Sequence, residues 1–293
     1  MVSVIIINYN TFKITCDCIE SVIRHTNGCA YEIVLVDNAS PKDDPDEFLK
    51  KFPQINLIKS KENGGFAKGN NLGIAHAKGD VILLLNSDTV LTEDSISMAV
   101  AAFAQHKDIG ALGVRLTYED GKLQHTARRF RSIKNELLDL CRPLLKLMPY
   151  EKRSEMMLNQ YFRGDRNIWC DWVSGAFMMF GRELLTKFPD NKLDERYFMY
   201  GEDQLWCYQA QQLGYRNYYY AGTTVIHLHA ASTEPAKQLQ LLKKFLALEL
   251  DIMEFRVGRS LYYHVFRLIL TGKEMMRYYV KVLALKLFNV RIR

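Results

Sequence analysis

The chain has 293 residues, 48% of them hydrophobic and 25% charged, enough for a packed core in one large domain or two modest ones. Its formal net charge of +6 is local: Glu234 to Arg293 hold 12 Lys+Arg against five Asp+Glu, a net +7, which leaves −1 for the first 233 residues. Such a balance excludes a polyanion binder of the whole-protein kind, and no nucleic-acid partner is expected.

No run approaches the roughly 18 uncharged apolar residues of a membrane span. The opening "MVSVIIINYN" has no basic leader region and reads as a buried strand, so no signal peptide is expected. Six cysteines (16, 18, 29, 141, 170 and 207) form no CxxC pair, and reduced thiols in a cytoplasmic setting are the expectation.

In chain order, "SVIII" (3–7) predicts a strand, and Thr11 opens a helix to about Arg24. Further strands are predicted at 32–37, 55–60, 81–86 and 109–116, with helices near 44–52, 66–78 and 92–106. Continuous β-branched runs separated by helices predict an α/β fold with a mostly parallel central sheet flanked by helices on both faces. From 118 to 170 the pattern weakens to short helices broken by Pro143 and Pro149, which reads as an inserted region. A strand over 172–180, a helix over 202–215 stopped by Gly214, a strand over 223–230 and helices from 235 to 289 complete the chain. The expected domains are 1–233, carrying the 118–170 insertion, and a basic helical extension over 234–293.

In sheets of this kind ligands bind beyond the carboxyl ends of the strands. Those positions hold Asn8, Tyr9 and Asn10; Asp37, Asn38 and Ser40; the "KENGGFAKGNN" stretch (61–71); and Asn86, Ser87 and Asp88. Turn and capping preferences alone favour such residues at any one strand end; four together point to a ligand rim. Asp88 suits a hard divalent cation, or caps the next helix. Gly64, Gly65 and Gly69 let backbone N–H groups approach an anion. No GK[ST] follows them, and no GxGxxG follows the first strand, which disfavours nucleotide triphosphatases and dinucleotide-dependent dehydrogenases. Glu202 and Asp203, in "YFMYGEDQLW", open a helix, where they either cap it or serve as a general base in a pocket that the neighbouring Tyr, Phe and Trp close to water. His227 and His229 share one face of their strand, as ligands for metal or phosphate or as ordinary polar positions.

The ordered set "VSVIIINYN", "VLVDNAS", "ENGGFAKGNNLGI", "LLLNSD", "WVSGAFMMF", "DERYFMYGEDQLWCYQAQQLGY" and "VIHLHAAS" resembles inverting family-2 glycosyltransferases with the GT-A fold, over about residues 2–233. "GFAKGNN", "DGKLQHTARRF" and "FMYGED" look most like the rhamnosyltransferase-like branch, which builds bacterial surface polysaccharides. The resemblance implies a nucleoside-diphosphate sugar donor and a glycan or lipid-linked saccharide acceptor. Tyr9 and Asp37 match positions that hold the base and ribose. Asn8, Asn10, Asn38, Gly65, Lys68, Asn71, Asn86 and Ser87 join them on the donor side, with Trp172, Gly175 and Tyr200 at the acceptor or sugar pocket. Asp88 matches the last acid of the family's DxD motif, whose first acid is Asn86 here. Mg²⁺ or Mn²⁺ would then rest on Asp88, the donor phosphates and His227. The family often has Arg where Asn70 stands, and Lys68 is the substitute. Asp203 matches the catalytic base, with Glu202 beside it.

Two other readings are a sugar-nucleotide nucleotidyltransferase, disfavoured by "INYNTF" after the first strand, and a non-catalytic binding protein with this fold. Residues 256–293 hold nine Lys+Arg and one acid, Glu274. Arg267, Lys273, Arg277 and Lys281 recur near helical spacing, which predicts either a basic amphipathic surface for the inner face of the membrane or packing on protein.

Overall fold

Why the first half folds as it does is visible in its strands. The computed structural model describes residues 1–228 and 238–288. It runs β1 (Val2–Asn8), α1 (Phe12–His25), β2 (Tyr31–Asp37), α2 (Asp46–Lys51), β3 (Asn56–Lys59), α3 (Gly65–His76), β4 (Val81–Asn86), β5 (Thr89–Leu91), α4 (Ser95–Ala104), β6 (Ile109–Thr117) and β7 (Leu123–Gln124). Four short helices follow, α5 (Ile133–Leu140), α6 (Arg142–Leu145), α7 (Tyr150–Met156) and α8 (Leu158–Tyr161). Then come β8 (Ile168–Cys170), β9 (Phe177–Gly181), α9 (Arg182–Leu185), a 3₁₀ turn at Pro189–Asn191, α10 (Glu202–Gln212), β10 (Arg216–His227), α11 (Gln238–Val257) and α12 (Leu261–Phe288).

The strands lie in the order β3-β2-β1-β4-β9-β6-β10-β5. Alternate residues of β1 face opposite layers. Val4 and Ile6 pack with Cys18, Ile19 and Val22 of α1, Phe48 of α2 and Ile96 of α4. Ile5 packs with Ala67 and Ile74 of α3 in the layer that also holds Trp206 and Ala210 of α10. Both faces are therefore covered by helices, as continuous apolar strands require.

The sheet is mixed. β3, β2, β1 and β4 run parallel, and β6 with β10 are parallel too. β9 inserts antiparallel between β4 and β6. A buried run such as "FMMF" carries no directional signal, so a parallel expectation could not register this reversal. β9 is also shorter than expected. Before it Trp172 forms an isolated bridge with Arg128, Gly175 and Ala176 turn, and the Ala176 carbonyl accepts the Asn86 N–H at 3.0 Å. β10 is longer, beginning at Arg216.

The chain divides into two compact units, Met1–Phe130 with Ser154–His229, and Arg131–Arg153 with Ala230–Arg293. The sequence reading cut it differently, at 233, with 118–170 as one insertion. In the structure only 131–153 leave the first unit, and they cluster with the C-terminal helices. Inside the second unit Leu246, Met253, Tyr263, Phe266 and Leu270 form a small core. Beside it Lys273 pairs with Glu136 and, at 2.5 Å, with Asp139. None of the described helices is long and apolar enough to cross a membrane.

Candidate active site

Asn8 and Asp37 end neighbouring strands in register. The buried Asn8 amide donates to Asp37 Oδ1 (2.8 Å) and Ser40 Oγ (3.1 Å), and its Oδ1 accepts the Thr11 and Thr15 hydroxyls, each at 3.0 Å. Thr11 thus anchors this network instead of capping α1 with its side chain. Asp37 Oδ2 accepts the Ser40 N–H at 3.0 Å. Asn10, in the left-handed region at φ 55°, donates its N–H to Ser40 Oγ (2.9 Å). Tyr9 is exposed beside this network.

Asn38 ties the rim to the start of α3. Its amide donates to Asn63 Oδ1 (2.9 Å) and the Gly65 carbonyl (3.1 Å), and its Oδ1 accepts the Gly64 N–H (3.3 Å). Gly65 has φ +80°, and a Cβ there would collide with the Phe198 carbonyl, which accepts the Phe66 N–H at 2.9 Å. Only glycine lets the "YFMYGED" loop close on this helix start. Lys68 is exposed and pairs with Glu62 at 3.7 Å. Asn71 does different work from that expected: its amide bonds the Leu193 carbonyl (2.8 Å) and Glu195 (2.9 Å), and it accepts the Leu193 N–H (3.0 Å). These bonds hold the stretch that leads to the acidic pair.

Asn86, Asp88 and His227 do come together. His227 Nε2 lies 3.1 Å from Asp88 Oδ1 and 3.3 Å from Asn86 Nδ2. The Gln124 amide donates to the His227 carbonyl at 2.7 Å, which turns its Oε1 to His227 Nδ1 at 2.8 Å. An oxygen there favours a proton on Nδ1, which makes Nε2 the nitrogen that a cation placed between it and Asp88 would take. A carboxylate oxygen and an imidazole nitrogen then converge. That donor set fits a divalent cation of the Mg²⁺ or Mn²⁺ kind, which accepts carboxylate and imidazole ligands. Ser87 lies between Asn86 and Asp88 on the turn into β5. His229 falls outside the described residues.

Glu202 and Asp203 open α10 directly after Tyr200 (φ 71°) and Gly201 (φ 91°), two successive left-handed residues that turn the chain into the helix. Asp203 Oδ2 accepts the Gly175 N–H (3.1 Å) and Oδ1 accepts the Gln204 N–H (2.8 Å). Burial pushes the Asp203 carboxyl above the usual range, against the lowering by those N–H groups and the Arg128 charge. Burial, followed by the neighbouring Asp203 charge, pushes Glu202 up to about 7. Glu202 Oε2 is buried without a hydrogen-bond partner.

The aromatic enclosure expected around this pair is only half present. Trp206 is buried, stacks on Phe66 at 6.2 Å and donates to the Asp194 carbonyl (2.9 Å). Phe198, Met199 and Tyr200 are exposed. A sequence cannot separate these cases, because the two positive φ values that swing 198–200 outward are not encoded by hydrophobicity. Trp172 lies under the Arg128 guanidinium, 5.0 Å from its ring centre, and its backbone bonds Arg128 on both sides. Arg128 and Gln124 both lie in "DGKLQHTARRF", yet neither has a spacing signal that would have placed it here.

A mixed sheet with an acid, an imidazole and a polar rim at its strand ends defines an α/β protein of the GT-A type. The model of "Glycosyl transferase family 2" matches residues 3–187, more than half of the chain, which therefore belongs to that family. The chain is 25% identical over 221 residues to the N-acetylglucosaminyl-diphospho-decaprenol L-rhamnosyltransferase of Mycobacterium tuberculosis, covering 71% of this chain and 70% of that one. It is 31% identical over 99 residues to the glycosyltransferase GlyG of Streptococcus pneumoniae, spanning a third of each protein's length. Its fold matches that of the mannosyltransferase PcManGT from Pyrobaculum calidifontis in complex with GDP-Man and Mn²⁺, with a TM-score of 0.62 at 14% identity over 97% of this chain and 74% of that one.

Proposed function

We propose that this glycosyltransferase moves a hexose, rhamnose in the first instance, from a nucleoside-diphosphate sugar to a hydroxyl of a glycan or lipid-linked saccharide, with inversion, in bacterial surface polysaccharide synthesis. The observation that carries this reading is Asp203: a carboxylate fixed by two backbone N–H groups and raised by burial, as a general base needs. The rhamnosyltransferase named above supports the sugar, and the named GDP-Man and Mn²⁺ complex supports the donor class.

In this mechanism the acceptor oxygen attacks the anomeric carbon opposite the diphosphate. The O–H proton passes to Asp203 as the bond from that carbon to the leaving phosphate oxygen breaks. Asp37 and Tyr9 would position the nucleoside, and Arg128 with Trp172 would line the acceptor or sugar side. Asp88 and His227 would hold Mg²⁺ or Mn²⁺, whose chemistry there is to neutralise charge on the leaving diphosphate. The setting is the cytoplasmic face of the membrane, where a lipid-linked acceptor is presented.

A thermal-shift screen of sugar nucleotides with and without Mn²⁺ identifies the donor, because a ligand that binds only the native state raises the melting temperature. NMR of the product should then show an anomeric configuration opposite to that of the donor. Retention of configuration would sink the single-displacement reading.

A further inference from the structure

We infer that the second unit attaches to an anionic lipid surface through an apolar face of α12, and not through the basic stripe of that helix. This deepens the membrane part of the proposed function and rests on it.

Beside its small apolar core the second unit buries a cluster of charges, while other apolar side chains stay outside. Lys273, Glu136 and Asp139 are buried and paired with one another. Arg277 turns to Asp139 at 2.6 Å, and Arg131 to Glu136 at 2.8 Å. Two of the four cations that recur along α12 therefore point inward and are already matched. The opposite face of α12 carries Leu261 (80% exposed), Val265, Leu268 (76%), Met276, Tyr279 and Leu283. At 100° per residue these six fall within about 80° of one another, with the exposed Gly272 among them. The row runs for about 33 Å, and no charged residue interrupts it. Elsewhere in this unit Leu137 and Leu140 of α5, Leu144 of α6 and Leu147 after it (85%) are exposed as well.

A row this long is far more apolar surface than isolated exposed leucines account for. Two occupants fit an apolar face: lipid, or a second copy of the chain. Charge decides between them. Residues 131–153 hold six Lys+Arg against three Asp+Glu, and 234–293 hold 12 against five, so these segments sum to +10 and the rest of the chain to −4. Two copies of so basic a unit repel each other, whereas an anionic bilayer attracts it. Lys134, Lys146 and Arg267 are exposed, and Lys146 lies between Leu144 and Leu147 in sequence, so apolar side chains and cations are offered together. A helix with that combination lies in the headgroup boundary with its apolar side down.

The test is sedimentation of the full chain with phosphatidylcholine vesicles, with or without phosphatidylglycerol, beside the variant Leu268→Glu/Tyr279→Glu. Both positions are exposed, so circular dichroism and the melting temperature should match wild type. The wild type is expected to pellet with the anionic vesicles and to stay bound in part at high salt. The variant's partition coefficient should fall at least about 100-fold, roughly tenfold for each apolar side chain withdrawn. Transfer to a soluble acceptor should be unchanged. If the variant binds as well as wild type, the apolar face is the wrong surface while membrane attachment stands. Complete release by salt would return the role to the basic residues. Failure of the wild type to bind overturns membrane attachment itself. A dimer seen by light scattering and dissolved by the variant would make this face a contact between copies.

Discussion

Glu202 and Asp203 at the start of α10, and Glu136 and Asp139 three residues apart on α5, are two pairs of acids set largely out of water, and the protein treats them in opposite ways. The α5 pair is surrounded by cations. Lys273, Arg131, Arg142 and Arg277 all form ion pairs with it. Asp139 is held well below the usual carboxylate range: burial raises it, and the hydrogen bonds from Arg277, Lys273 and Arg142 more than reverse that. The α10 pair is held by backbone N–H groups, and burial wins, so both acids lie above their usual range. Acids matched by cations fix a structure. Acids left short of charge compensation retain proton affinity, which is the property a base requires.

Breaking each pair should therefore cost different things. Asp203→Asn is expected to lower kcat/KM by about 10²- to 10⁴-fold, the range for loss of a general base. Its stability should hold or rise, since a carboxylate raised by burial has been removed. Full activity in Asp203→Asn would end the base assignment. Lys273→Met should instead lower unfolding stability by about 3–5 kcal/mol, because Glu136 and Asp139 lose the cation at their centre. Urea titration of the two variants side by side reads the contrast directly, and a Lys273→Met protein as stable as wild type would refute it.

The pairs should also respond to pH with opposite signs. Glu202 keeps its proton to about 7 in the folded protein, against an ordinary value of 4.5. Stability linked to its protonated form is complete below 4.5 and is lost as pH rises through about 7. Glu202→Gln should then be more stable than wild type above that range, by on the order of 2 kcal/mol, and similar to it near pH 4. Asp139 is depressed below 3.8, so its contribution is present above that value and disappears as pH falls through the acid range. Urea midpoints across the range test this, and parallel pH profiles for Glu202→Gln and Asp139→Asn would dissolve the distinction.

Much of the first unit was legible because the local signals agree. β4 occupies its predicted residues, and the polar cluster at the strand ends follows from counting past each strand. Asp88 and His227 were joined only through the family resemblance, and the fold sets them 3.1 Å apart, whereas the bond from the Gly175 N–H to Asp203 had no counterpart in the sequence. What stayed hidden depends on partners distant in sequence. Asn71 looks like the other rim asparagines until Leu193 and Glu195 arrive 122 and 124 residues later. The basic period of α12 was visible, but its direction was not, since the acids that meet Lys273 and Arg277 on the inner side include Glu136 and Asp139 of α5, distant in sequence. Phe198 to Tyr200 are aromatic or apolar and still exposed, because backbone conformation at Tyr200 and Gly201 overrides their hydrophobicity.

Asp88 shows a third treatment of an acid, and the smallest predicted effect lies there. It is partly exposed and faces the Nε2 of a buried histidine whose other nitrogen meets Gln124. Gln124 touches neither the acid nor the rim asparagine in the contacts described above, yet it determines which imidazole nitrogen carries the proton. Gln124→Leu removes that acceptor and lets the proton shift to Nε2, the atom that a cation needs free. Mn²⁺ affinity, read by electron paramagnetic resonance in the presence of a nucleoside diphosphate, should weaken about 10- to 100-fold. Gln124→Glu offers an oxygen to the same Nδ1–H and should recover most of the affinity, although it cannot donate to the His227 carbonyl. Loss in both variants would locate the effect in that donated bond and not in the tautomer. Unchanged affinity in Gln124→Leu would mean that Asp88 and the diphosphate alone hold the cation, and that His227 is oriented for another task.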